Sequence, residues 1–305
     1  MRGAARVSVQ RVIGGAWLGV HAPHQPRAML TWLLDRGFRG VVAESGPRAV
    51  AWRAVAAARE SLPVAFAAVR VGGATTPLRS RADAGIASAN EGERSAAMQA
   101  VRSAVQLAES VGTANVILEP GLVRVPGEPG PTDLADQTTR ITAGQAAGWM
   151  TRRRAALDRS LDAACRFLHA VCHAFPDVRL CLTGSADLLG LGEPSALAAI
   201  FDDLRGLRLA YWHDAPVAAR RQELLDVAQG EWLHLLADRM VGVTVGDPAD
   251  GTLYGLPGSG AVDWALLASY KAARSRVLPV VLELEPAIEP SEIPGALAFL
   301  DKFGL

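Results

Sequence analysis

Residues 90–121 read NEGERSAAMQAVRSAVQLAESVGTANVILEPG, and this stretch decides the fold. Positions 91–111 are an Ala-rich run of helical period, and Gly112 follows where a helix C-terminus favours a left-handed residue. The run at 115–119 is β-branched and short, which reads as a strand. The same unit recurs outward in both directions. Strand candidates lie at 12–20, 40–44, 64–71, 115–119, 178–183, 207–212, 240–246 and 277–285. Helix candidates lie at 27–36, 49–61, 91–111, 152–175, 195–204, 218–236, 262–275 and 291–303. Gly37 ends one helix in the manner of Gly112, and Pro63 and Pro176 stop two others just before strands. Eight uninterrupted strand–helix units predict an α/β fold, a single (β/α)8 TIM barrel over residues 1–305, with long βα loops at about 72–90 and 122–151. An open doubly wound sheet is the rival. It would carry a glycine-rich phosphate turn after the first strand, and Gly14-Gly15 does not match GxGxxG.

Composition narrows the function classes. Lys and Arg number 31 and so do Asp and Glu, so the chain has no basic excess with which to track nucleic acid. Lysine occurs only at Lys271 and Lys302, a bias that reflects coding composition better than anion binding. Cys165, Cys172 and Cys181 include no CxxC pair and read as buried thiols of a reducing compartment. The N-terminus is too polar for a signal peptide, and no apolar run reaches the ~18 residues of a membrane span. The expectation is a cytoplasmic protein without membrane or nucleic-acid partners, acting on a small-molecule substrate or ligand. Oligomeric state is not legible.

Acids end several strands: Glu44, Glu119, Asp214, Asp247 and Glu283, with Glu285 two residues further. Carboxylates gathered around one barrel mouth raise each other's pKa, which suits general acid/base chemistry, or bind Mg²⁺ or Ca²⁺ through oxygen alone. They also suit a scaffold in which Arg70 and Arg124 pair with them. His21 and His24, in the loop HAPHQP, are a conceivable metal pair but more often simply hydrogen-bonded. His213 should face the outer helices, and His169, His173 and His234 lie on helices away from the mouth. Trp17, Trp212 and Tyr254 lie near strand ends, where an aromatic floor for a sugar ring would sit, or where they simply pack the core. Pro257-Gly258-Ser259-Gly260 offers backbone N–H groups to a phosphate or forms a plain turn.

Four segments taken in order resemble the xylose isomerase-like TIM barrels, the superfamily of sugar phosphate isomerases and epimerases. They are residues 90–121, AYWHDAPVA at 210–218, GVTVGDPADGTLYGLPGSGAVDW at 242–264 and VVLELEP at 280–286. The resemblance implies a divalent metal held by a Glu, an Asp, a His and a Glu on strands five to eight. Asp214 and Glu283 match two of these positions, whereas Thr183 and Thr244 stand at the other two. Val217 stands where a His often follows the sixth-strand Asp, and Glu119 replaces the His of the usual HPG turn. The resemblance therefore implies a degenerate metal site.

The resulting expectation is a sugar phosphate isomerase/epimerase-like enzyme acting on a polyhydroxylated or keto substrate by proton abstraction next to a carbonyl. Glu119, Asp214 and Glu283 are the candidate catalytic groups, with Glu44, Trp212, Asp247 and Tyr254 as substrate contacts. Asp214 and Glu283 are the metal ligands if one Mg²⁺ or Mn²⁺ binds in an oxygen-rich site; otherwise there is no cofactor. The alternative is a non-catalytic barrel, a binding module or partner subunit that has lost the metal site.

Overall fold

The computed structural model describes residues 10–46, 52–59, 62–72, 81–125, 142–249, 252–272 and 277–305. Eight parallel strands close into a barrel: β1 (Gln10–Gly14), β2 (Gly40–Ser45), β3 (Ala65–Val71), β4 (Asn115–Leu118), β5 (Arg179–Thr183), β6 (Leu209–Asp214), β7 (Met240–Val245) and β10 (Pro279–Leu282). A small antiparallel hairpin, β8 (Asp247–Ala249) with β9 (Thr252–Gly255), interrupts the alternation after β7. Closure is between first and last strands, with Gln10 to Ile13 opposite Pro279 to Leu282. The architecture is thus the expected (β/α)8 TIM barrel.

Helix α4 (Glu91–Val111) begins and ends where the sequence says. The Asn90 side chain accepts from the Glu93 backbone N–H at 3.1 Å, and Gly112 takes φ 76° at the C-terminus. Its buried residues Ala97, Val101, Ala104, Val105, Ala108 and Val111 form one stripe facing the barrel. Inside the barrel, Ala67, Ala68, Cys181 and Ala210 are small enough to leave the centre to the indole of Trp212. Gly242 completes that fit, since a Cβ there would lie 2.5 Å from the Trp212 ring.

Some element boundaries differ from the sequence expectation. The first strand stops at Gly14, and α1 (Gly15–His21) replaces its second half. Trp17 and Leu18 are both fully buried, which a helix face allows and a strand, sending neighbours to opposite sides, does not. The sixth strand is shifted by two residues to Leu209–Asp214. The helix expected at 218–236 is two helices, α7 (Ala215–Leu225) and α8 (Gln229–Leu236), broken at Asp226 with φ 57°. The helix expected at 152–175 is longer, α5 (Ala143–Ala174), because Thr142 and Gln145 form a capping box that nucleates it earlier. It takes up the end of the expected 122–151 loop, and positions 82–87 of the other loop form a short 3-10 helix. Residues 73–80 and 126–141 of these loops lie outside the described residues. No helix among the described residues is long and apolar enough to cross a membrane.

Candidate active site

The interior face of the strands carries a polar layer at the C-terminal end of the barrel. Pleating alternates residues in and out, so the row containing Trp212 on β6 also contains Asp214, and its register partners carry Thr183 and Thr244. On the other side, Glu44 of β2 lies beside Arg70 of β3. Glu283 directly follows β10. Gly14 opposite it has no side chain, and a Cβ there would stand 2.0 Å from Glu283 Oε1. Below this layer Trp212 is completely buried and forms its packed floor rather than an open stacking surface.

Hydrogen bonds tie the layer together. Asp214 Oδ1 accepts from the Val217 N–H at 3.2 Å, so the acid caps α7, while its Oδ2 accepts from the Tyr254 hydroxyl at 3.1 Å. Thr244 Oγ1 accepts from Trp212 Nε1 at 3.0 Å and from Arg70 Nη2 at 3.3 Å. Arg70 Nη2 also stands 3.8 Å from Glu283 Oε2. Glu119 Oε1 accepts from Arg81 Nη1 at 3.0 Å, and the same guanidinium grips Asp83 through Nε and Nη2. Arg81 was not among the residues expected from sequence. It sits in an arginine-rich passage with no spacing signal.

Burial sets the protonation states. It pushes the Asp214 carboxyl up to about 6, against the pull of Arg70, the Val217 N–H and Tyr254. It also raises Glu283, against Arg70 and with help from Glu44 and Asp214. Burial and the nearby Asp214 keep the Tyr254 phenol protonated as a donor. For Arg70 burial acts to lower the pKa, but Glu283, Tyr254 and Asp214 outweigh it and the guanidinium stays charged.

Other expectations resolve differently. The Asp247 carboxylate accepts from the backbone N–H groups of Gly258 (2.7 Å) and Val262 (2.9 Å) and from Trp264 Nε1 (3.2 Å). Asp247 therefore organises the 256–264 loop, and the Gly258 N–H that was to meet a phosphate meets this carboxylate instead. Arg124 pairs with the half-buried Glu93 at 3.3 Å, not with the mouth acids. Trp17 lies outside the barrel and donates to the Ile288 carbonyl at 2.8 Å. His21 is satisfied by the Pro286 carbonyl, 2.7 Å from Nε2, as a structural histidine would be. His213 faces the outer layer as expected, hydrogen-bonded through Nδ1 to the Tyr211 hydroxyl at 2.8 Å. The three cysteines are buried, with burial pushing Cys165 and Cys181 up to about 12 and Cys172 to about 11, so they remain unreactive thiols.

A second arginine network holds the loop after β5. Arg153 of α5 donates to the carbonyls of Leu189 (3.4 Å) and Gly190 (2.9 Å) and to Glu193 Oε1 (2.6 Å). Arg221 of α7 donates to the carbonyls of Ser185 (3.1 Å) and Asp187 (2.7 Å). Together they fix the 184–193 loop after β5, which is further tied to the loop after β4 by Val123 N–H to Leu189 O and Leu191 N–H to Gly121 O.

The donor set does not fit the divalent metal that the resemblance implies. Zn²⁺ and Mn²⁺ sites need three or four converging side-chain ligands, and hard cations need several free oxygen donors. Thr244 already accepts two hydrogen bonds, and Glu119 is engaged by Arg81. Among the described residues no group of three or more His, Cys, Asp or Glu side chains is arranged to hold a metal ion.

No protein-family profile matches the chain, and no curated protein matches it by sequence. Solved structures do. The apo 3-keto-D-glucoside 4-epimerase of E. coli superposes with a TM-score of 0.67 at 14% identity, over 97% of this chain and 100% of that one. A putative xylose isomerase from Rhodospirillum rubrum gives 0.67 at 12% identity, over 97% and 98%. The D-psicose 3-epimerase of Clostridium cellulolyticum, solved with D-tagatose, gives 0.63 at 12% identity, over 97% and 99%. With its closed parallel barrel and these structural likenesses, the chain has the xylose isomerase-like TIM-barrel fold.

Proposed function

We propose that the protein is an epimerase- or isomerase-like enzyme that exchanges the proton next to the carbonyl of a small polyhydroxylated substrate, using Asp214 and Glu283 as its acid–base pair. The observation that carries this reading is the placement of two buried carboxyls, at the C-terminal ends of strands separated only by β7, in one polar layer with their pKa values raised to different extents. At neutral pH Asp214 is the ionised base. It takes the proton from carbon, the C–H electron pair moves into the carbonyl as an enediolate forms, and Glu283 supplies the proton that restores the C–H bond. Glu119 and Glu44 flank the pair, and the Tyr254 hydroxyl holds Asp214 in position.

The test is solvent deuterium incorporation into a panel of ketoses and aldoses, followed by proton NMR. The wild type is expected to exchange at least one of them, and Asp214→Asn and Glu283→Gln each to slow that exchange by about 100-fold or more. Undiminished exchange by both variants removes the pair from the reaction. A second reading, a non-catalytic barrel that binds such a molecule, is favoured by the hydrogen bonds that hold Asp214 to Tyr254 and Val217 and Glu119 to Arg81. Saturable binding of a sugar without any exchange would establish it.

A further inference from the structure

Three buried polar atoms in the mouth lack a hydrogen-bond partner among the described residues: Arg70 Nε, Glu283 Oε1 and Thr183 Oγ1. Arg70 is 3% exposed and Glu283 1%, so neither atom is compensated by bulk water. An unpaired donor and an unpaired acceptor, on two side chains that approach to 3.8 Å, call for a guest with an acceptor oxygen and a hydroxyl side by side. The same guanidinium already supplies positive charge to Glu283 and Asp214 and one of the two hydrogen bonds that occupy Thr244. It cannot be deprotonated, and its fixed positive charge among these carboxyls repels a divalent ion.

We propose that Arg70 is the resident cation of this barrel mouth, which excludes divalent metal and docks an α-hydroxycarbonyl compound, the carbonyl oxygen on Arg70 Nε–H and the neighbouring hydroxyl on Glu283 Oε1. This rests on the acid–base reading above for its substrate class, but not for the exclusion of metal. In the proton exchange, Arg70 stabilises the enediolate oxygen as negative charge develops there, and the guanidinium keeps its protons throughout.

The experiment uses Mn²⁺ and dihydroxyacetone as probes. Mn²⁺ binding is followed by the EPR signal of the free aqueous ion, and dihydroxyacetone binding by ligand-observed NMR in excess EDTA. Mn²⁺ is chosen over Cu²⁺ or Ni²⁺ because the exposed His169–His173 pair, with Nε2 atoms 3.1 Å apart, would capture imidazole-seeking ions. The wild type is expected to leave Mn²⁺ free and to bind dihydroxyacetone despite EDTA. Arg70→Met, with the competing charge gone, is expected to bind Mn²⁺ about tenfold more tightly and to lose the ketone. Arg70→Lys keeps the charge without the Nε donor, so it should still exclude Mn²⁺ while losing the ketone; that split is not the signature of a merely structural residue. One Mn²⁺ bound per wild-type chain and lost in Asp214→Asn overturns the proposal, as does an Arg70→Met protein that matches wild type with both probes. Should both Arg70 variants fail to fold, the wild-type Mn²⁺ titration decides. A protein that excludes Mn²⁺ and binds the ketone but catalyses no exchange keeps Arg70 as the resident cation while the enzymatic reading fails.

Discussion

Gly14 has no side chain because the Glu283 carboxylate fills the space where one would stand. Gly14→Ala is therefore expected to cost about 1–3 kcal/mol by overpacking, visible as a lowered midpoint in urea, and to displace Glu283 from Arg70. An unchanged midpoint would mean that the carboxylate swings away freely. His213 makes a pH prediction. Burial pushes its imidazole down to about 3 from an ordinary 6.5, so above 6.5 both folded and unfolded states are neutral. Below 6.5 the unfolded chain takes up a proton that the folded protein refuses, and stability falls as pH drops toward 3. Asp214, raised to about 6, acts in the opposite sense: between about 6 and 4 the folded state holds the extra proton and gains stability from acid. Comparing His213→Asn with its parent in an Asp214→Asn background isolates the histidine, with a loss on the order of 2 kcal/mol by pH 4.5 in the parent alone. Equal slopes in both proteins would contradict the buried neutral imidazole.

At the level of elements, the 184–193 loop is held by side chains rather than by secondary structure. Arg153→Ala removes three hydrogen bonds, two of them to carbonyls in this loop, and leaves Glu193 short of its nearest partner. The expected outcome is a destabilisation of about 2–4 kcal/mol with faster amide exchange confined to 184–193 and the 121–123 segment bonded to it. Exchange that stays slow would show that Arg221 alone suffices. Little of this could be read in advance. The long helix bearing Arg153 is evident from its period, but nothing in a helical pattern says that one arginine turns inward to carbonyls 36 and 37 positions away. By contrast α4 is legible to the residue, because its Ala-rich helical period and terminal Gly are local signals.

For the whole molecule, closure between β1 and β10 makes the barrel depend on both ends of the sequence. We take residues 1–305 to fold as one unit. A chain ending at Leu278 would lack β10 and α10 (Ile293–Lys302) and leave β1 and β7 as open edges. It is expected to aggregate or to lose cooperative thermal unfolding, whereas the full chain melts in one transition. A soluble, cooperatively folded fragment would show that the last unit is an addition to the barrel and not a part of its closure.

The sequence by itself determined the strand–helix alternation, its eightfold count, and the acids and threonines at the strand ends. Those are local properties: period, capping and turn chemistry act within a few residues, and pleating then sends Thr183, Asp214 and Thr244 to the same interior face. Tertiary structure alone decided what those side chains meet. It made Asp247 the anchor of a loop and Trp212 a buried floor, and brought Arg81 onto Glu119 and Arg70 between Thr244 and Glu283. Those meetings join residues as far apart as 174 positions, as between Arg70 and Thr244. They depend on barrel closure and on the path of the connecting loops, which no period or spacing along the chain encodes.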